Sequence, residues 1–183
     1  MASSILDSGY FKDMFGSAEM REIFSDENRF KAWLITEVAL AEAQEKLSII
    51  PKGTSSSLKK VATLDNLNIE SMKAHFDKVG FPILPFVKQL TNACDDETAK
   101  WVHYGATTKD ILDTGTVLQM KEGLDIVENE LNFIIKGLVK LTVDHRDSVM
   151  AGRTFQQHAA PITFGYKTAI WLDEVLRHKK RIE

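Results

Sequence analysis

Two stretches of this chain carry polar side chains at spacings suited to holding an anion. The first contains His103, Gly105, Thr107, Thr108 and Asp110. Thr107 is placed to cap a helix, with Asp110 three residues on in the capping-box relation. The free amides of a first helical turn and the two threonine hydroxyls together make an anion site. Gly105 lets backbone approach a ligand closely. The second stretch contains Gly152, Arg153, Thr154, Gln156, Gln157 and His158 ahead of Pro161. Arg153 can grip a carboxylate through a bidentate fork. Each stretch also has a plain structural reading, a well-capped helix for the first and an interhelical loop for the second.

The element between them spaces the two stretches. From Asp110 to about Arg146 apolar residues recur at helical spacing: Ile111, Leu112, Leu118, Leu124, Val127, Leu131, Ile134, Leu138 and Leu141. No proline interrupts the run, and Gly115, Gly123 and Gly137 only weaken it. Such a helix spans about 55 Å. If both stretches serve one reaction, the site forms between chains. The helix is apolar around much of its circumference, which predicts self-association.

Upstream, Ser17 to Phe24 suits a short helix. Ser25 caps an amphipathic one built on Phe30, Trp33, Leu34, Val38, Ala41 and Leu47 and stopped by Pro51 and Gly53. Asn68 caps a helix that Gly80 ends, and Pro82 opens another. No strand alternation of useful length is present. The fold class is therefore all-α, with short helices over residues 1–100 as an N-terminal domain and the start of a long-helix bundle over 101–183. A final helix is expected from about Pro161. It reaches Glu183 with no stop signal, which reads as a piece of a longer protein.

The chain of 183 residues has net charge −3, pI near 6.0 and 44% apolar residues. No nucleic-acid footprint is visible, since acidic residues flank the basic run from Arg177 to Arg181. Cys94 is the only cysteine, so no internal disulfide can form, as expected in a reducing compartment. There is neither a signal-like leader nor a run long enough to cross a membrane, and a cytoplasmic location is expected.

Residues 101–114 (WVHYGATTKDILDT) resemble the first signature of the fumarase/aspartase superfamily, and residues 150–165 (MAGRTFQQHAAPITFG) resemble its second. The run at 20–30 (MREIFSDENRF) looks like the same family. The resemblance implies a helical homotetramer with active sites shared by three subunits, acting without cofactor or metal on a small polycarboxylate. The family abstracts a proton beside a carboxylate and stabilises the dianion that develops. By position, His103, Thr108 and His158 are the catalytic candidates, and Thr107, Arg153, Thr154 and Gln157 the substrate-binding ones. The family's third signature, a Ser- and Gly-rich loop whose serine is the usual base, has no counterpart here. The resemblance thus implies less than half of a typical member, inactive alone. A helical assembly module that keeps only the fold is the non-enzymatic alternative.

Two branches of the family compete. The adenylosuccinate lyase branch usually places a histidine acid where this chain has Phe155, and a His-Asp pair where it has Phe81 and Pro82. The 3-carboxy-cis,cis-muconate cycloisomerase branch tends to carry a bulky apolar residue at the first place and a proline-containing segment at the second. The resemblance therefore implies a cycloisomerase-like enzyme of aromatic degradation, with adenylosuccinate lyase the alternative.

Overall fold

The structure is a computed structural model that describes residues 4–183; the first three residues of the N-terminus, where the sequence predicts no leader, lie outside the described residues. The chain is all-α apart from one hairpin. It forms two compact units, the first closing at Glu122 and the second running Gly123–Glu183.

In the first unit, two 3-10 turns precede α1 (Ala18–Ile23) and α2 (Asp26–Lys46). Caps decide where these helices begin. The Ser17 and Ser25 hydroxyls accept from the amides of Met20 and Asn28. The next helix, α3, spans Thr54–Val61. Thr54 is its first residue, with Gly53 in the left-handed region before it. Then follow α4 (Ile69–Val79), opened by Asn68 and closed by a left-handed Gly80, α5 (Ile83–Ala93) behind Pro82, and α6 (Asp96–Ala99).

The core of this unit is Trp33, Leu34 and Ala41 of α2 with Leu58, Met72, Ile83, Phe86, Leu90 and Ile111. Trp33 stacks edge-on against Phe30 and Phe86, with ring centroids 5.2 and 5.4 Å away. The long helix α7 (Thr108–Asp144) has 37 residues, two more at its start and two fewer at its end than the periodicity suggested. Its first turns pack on α2 through Gly115. A Cβ built there would stand 2.5 Å from the Trp33 ring, so only glycine admits this approach. The buried Gln119 donates to the Ile23 carbonyl (2.6 Å).

The second unit holds the remainder of α7, the strands β1 (Val149–Thr154) and β2 (Gln157–Thr163), and α8 (Phe164–Ile182). Helix α8 packs on the end of α7, with the Thr142 and Thr168 hydroxyls 3.0 Å apart and the Gly165 amide donating to the His145 carbonyl.

The hairpin corrects two expectations. The second polar stretch is an antiparallel ladder, not an interhelical loop. Pro161 does not open the last helix but lies in β2 opposite Ala151. It sits beside a register shift between Ala151 and Arg153, where a residue without an N–H interrupts no regular ladder bond. The start of α8 is set instead by Thr163, whose hydroxyl accepts from the Tyr166 amide.

Candidate active site

The first polar stretch is anchored from two sides. Thr107 stands just ahead of α7, and its amide donates to the Asp110 carboxylate at 2.8 Å, completing the reach-back half of the capping box. Thr107 is exposed and Thr108 half-buried, so the threonine pair lies at the surface of the helix N-terminus.

Before it, His103 adopts φ +58 and Gly105 φ +70, two left-handed positions within three residues. For a residue with a side chain this costs about 1–2 kcal/mol. Two residues of α2 hold the bend. The His103 ring lies with Nδ1 2.6 Å from the Glu37 carboxylate, and Gln44 Nε2 donates to the Tyr104 carbonyl at 2.7 Å.

Glu37 is completely buried and the His103 side chain only 19% exposed. The hydrogen bond that His103 donates to Glu37 raises the His103 pKa above its ordinary 6.5; partial burial opposes this, and the negative charges of Glu37 and Asp110 add to the rise. The second Glu37 oxygen, Oε2, and Gln44 Oε1 are buried with no hydrogen-bond partner among the described residues.

Neither Glu37 nor Gln44 stood out in the sequence, although a signal was present. Glu37 falls four residues after Trp33 and four before Ala41, inside the apolar stripe of α2. A carboxylate on a core face needs a specific partner.

The second stretch is presented on the hairpin. Thr154 pairs with Gln157 and Arg153 with His158, leaving Phe155 and Gln156 as a two-residue turn. Both turn residues have positive φ, +48 and +62, the signature of a type I′ turn, which ordinarily recruits Asn and Gly. Phe155 is 95% exposed at the tip.

Directly opposite residues share a face of a ladder, and successive residues alternate. Arg153 and His158 therefore lie on one face, and Thr154 and Gln157 on the other. All four are exposed, and none makes a side-chain hydrogen bond to another described residue. The structure thus groups His103, Thr107 and Thr108 around the start of α7, and Arg153 with His158 on β1 and β2, with Thr154 and Gln157 turned to the other side.

A turn carrying two threonine hydroxyls thus leads into the long helix, and an exposed polar hairpin follows it. The lyase family model matches residues 15–183, so the chain belongs to that family, within the fumarase/aspartase superfamily.

Among curated relatives, the N-acetyl-S-(2-succino)cysteine lyase of Enterococcus italicus is 40% identical over 182 residues, covering 100% of this chain and 40% of its own. The adenylosuccinate lyase of Pyrococcus abyssi is 40% identical over 169 residues, covering 92% of this chain and 37% of its own. Among solved structures, the β-carboxy-cis,cis-muconate cycloisomerase of Acinetobacter calcoaceticus superposes with a TM-score of 0.88 at 35% identity, covering 93% of this chain and 41% of that one. The chain therefore spans about two-fifths of the length of these relatives, whose names carry three different substrates.

Proposed function

We propose that the whole protein catalyses reversible addition and elimination on a small polycarboxylate, without metal or cofactor, as a cytoplasmic homotetramer. Residues 1–100 then serve as its N-terminal helical domain and 101–183 as the beginning of its central bundle. His103, Thr107 and Thr108 of one chain meet Arg153, Thr154, Gln157 and His158 of another. The 37-residue length of α7 supports sharing of the site between chains. Arg153 grips a substrate carboxylate, and the amides and hydroxyls at the start of α7 stabilise the charge that grows as the adjacent carbon loses its proton. Thr108 donates to that developing charge, while His103 and His158 bind substrate and move protons.

One observation carries the choice of reaction. Phe155 occupies the tip of the hairpin, at the position where, by the family resemblance, the adenylosuccinate branch usually carries a histidine acid. An aromatic ring cannot transfer a proton to a departing amine, and lack of such an acid typically costs about 10² to 10⁴ in rate. The reaction that fits has a leaving group stable as an anion. In the cycloisomerase reading, opening of the lactone releases a carboxylate, and the enzyme lactonises a carboxymuconate in the other direction. Phe155 then forms an apolar wall against an unsaturated acid.

A second reading follows from the 40% identity over 182 residues to a succinocysteine lyase: a thiol, with an ordinary pKa near 8.5, also departs as its anion. A spectrophotometric assay of the full-length protein on carboxymuconate, an S-succinylated cysteine and adenylosuccinate decides among them. Turnover of either of the first two with none of the third is expected. Efficient cleavage of adenylosuccinate would overturn the reading. Phe155→His is expected to bring no gain in adenylosuccinate cleavage, because Phe81 and Pro82 also replace that branch's second pair of polar residues.

A further inference from the structure

We propose that Glu37 is a positioning residue for His103: buried in α2, it receives the ring's Nδ1–H and leaves Nε2 as the edge offered to a bound carboxylate substrate. The inference rests on the reading of His103 as a site residue and names what orients it.

The geometry is specific. The contact is 2.6 Å, the carboxylate is completely buried, and the ring retains 19% exposure. Glu37 stands between Trp33 and Ala41 on the core face of a 21-residue helix, so its carboxylate cannot follow a moving ring. His103 keeps a left-handed backbone that a non-glycine residue does not choose by itself. Its own carbonyl accepts from Ala106, and the next carbonyl is held by Gln44 of the same helix. The α2 surface thus fixes both the backbone bend and the ring.

The proton's position follows from the partner's chemistry. A carboxylate only accepts, so Nδ1 carries the hydrogen, and Nε2 is a lone-pair acceptor in the neutral ring and a donor in the charged one. The charged groups that bear on the ring are Glu37 from α2 and Asp110 from α7, and both favour the imidazolium. Glu37 Oε2 has no hydrogen-bond partner among the described residues, so the His103 contact at Oε1 is the bond that anchors this carboxylate. In its charged form a ring so held donates from Nε2 to a substrate carboxylate, and in its neutral form it presents a lone pair there.

The test is long-range ¹H–¹⁵N NMR of the histidine rings in the 183-residue chain. The five histidines are few enough for His103 to be assigned by its loss in His103→Gln. In the parent chain His103 is expected as the Nδ1–H tautomer, with a titration midpoint above that of an ordinary histidine. Glu37→Gln removes the charge but retains an acceptor, so the tautomer persists and the midpoint falls. Glu37→Leu lowers the midpoint and releases the tautomer.

An Nε2–H tautomer in the parent chain, or a midpoint indifferent to Glu37→Gln, overturns the proposal. If the Glu37 variants fail to fold, the parent tautomer and midpoint decide alone. No substrate enters these readouts, so they distinguish failure of the pairing from failure of the lyase reading. In a full-length enzyme that does turn over, Glu37→Gln should lower kcat/KM and move the His103 limb of the pH profile to lower pH. A KM effect alone, with the limb unmoved, would also contradict the proposal.

Discussion

The two polar stretches are built in opposite ways. The first hangs on a core: His103 reaches a completely buried carboxylate, and the helix after it closes on Trp33 through Gly115. The second is displayed on two strands whose site residues are all exposed, around a turn made of residues that do not favour it. The apolar surface follows the same division. The buried hydrophobic side chains of the core all precede residue 112, whereas Phe133, Val143, Val149 and Phe155 of the second unit stand 68–95% exposed. One stretch is thus held by the core of its own unit, while the other stands exposed.

The sharpest way to break this contrast is truncation of one aromatic ring in each unit. Phe86 is fully buried, and Phe86→Ala should cost about 3–5 kcal/mol in urea unfolding of the chain. Phe155→Ala, at a 95% exposed position, should stay within about 0.5 kcal/mol. Similar costs for the two would abolish the distinction.

Two glycines of α7 provide a finer test, because the same substitution should change sign along one helix. At Gly115 a methyl group meets the buried Trp33 ring at 2.5 Å, and overpacking of about 1–3 kcal/mol outweighs the gain in helix propensity. At Gly137 nothing lies within 4 Å, and Gly137→Ala should stabilise by about 0.5–1 kcal/mol. Thermal unfolding of both variants provides the check.

The hairpin turn should respond to chemistry that suits it. Replacing Phe155 with Asn and Gln156 with Gly should increase amide protection in β1 and β2 by relieving about 1–2 kcal/mol at each positive-φ residue. Unchanged protection would mean that the turn stores no such cost.

The smallest effect is the pH dependence contributed by His103. Its pKa is raised in the fold by the Glu37 hydrogen bond, so its stabilisation is fully present below the unfolded value near 6.5. It is lost as pH rises through the higher folded value. The stability difference between the parent chain and His103→Gln should therefore shrink on the alkaline side of that window. A difference that grows with pH would reverse the assignment.

Much of the first unit was legible because its signals are local. Ser17, Ser25, Asn68 and Thr107 sit where helices start, and Gly80 sits where one stops. The hairpin was not legible, for physical reasons. Its strands are exposed over most of their length, so no burial alternation marks them, and Phe155-Gln156 lacks the Asn-Gly chemistry that announces a type I′ turn. Pro161 suggested a helix start, but its missing N–H is tolerated equally well beside a bulge. Of the site, His103 and the threonine pair were legible as a motif. Glu37 required attention to a charge on an apolar stripe, and the opposite facing of Arg153 and Thr154 required the register.

The proposed meeting of the two stretches between chains can be tested by complementation. Full-length Thr108→Ala and His158→Ala proteins, each inactive alone, can be mixed, dissociated and reassembled, with hybrid oligomers verified by mass. Activity should return, because some mixed sites then contain neither substitution. Verified hybrids that remain inactive would contradict the claim and place both stretches of one chain in the same site.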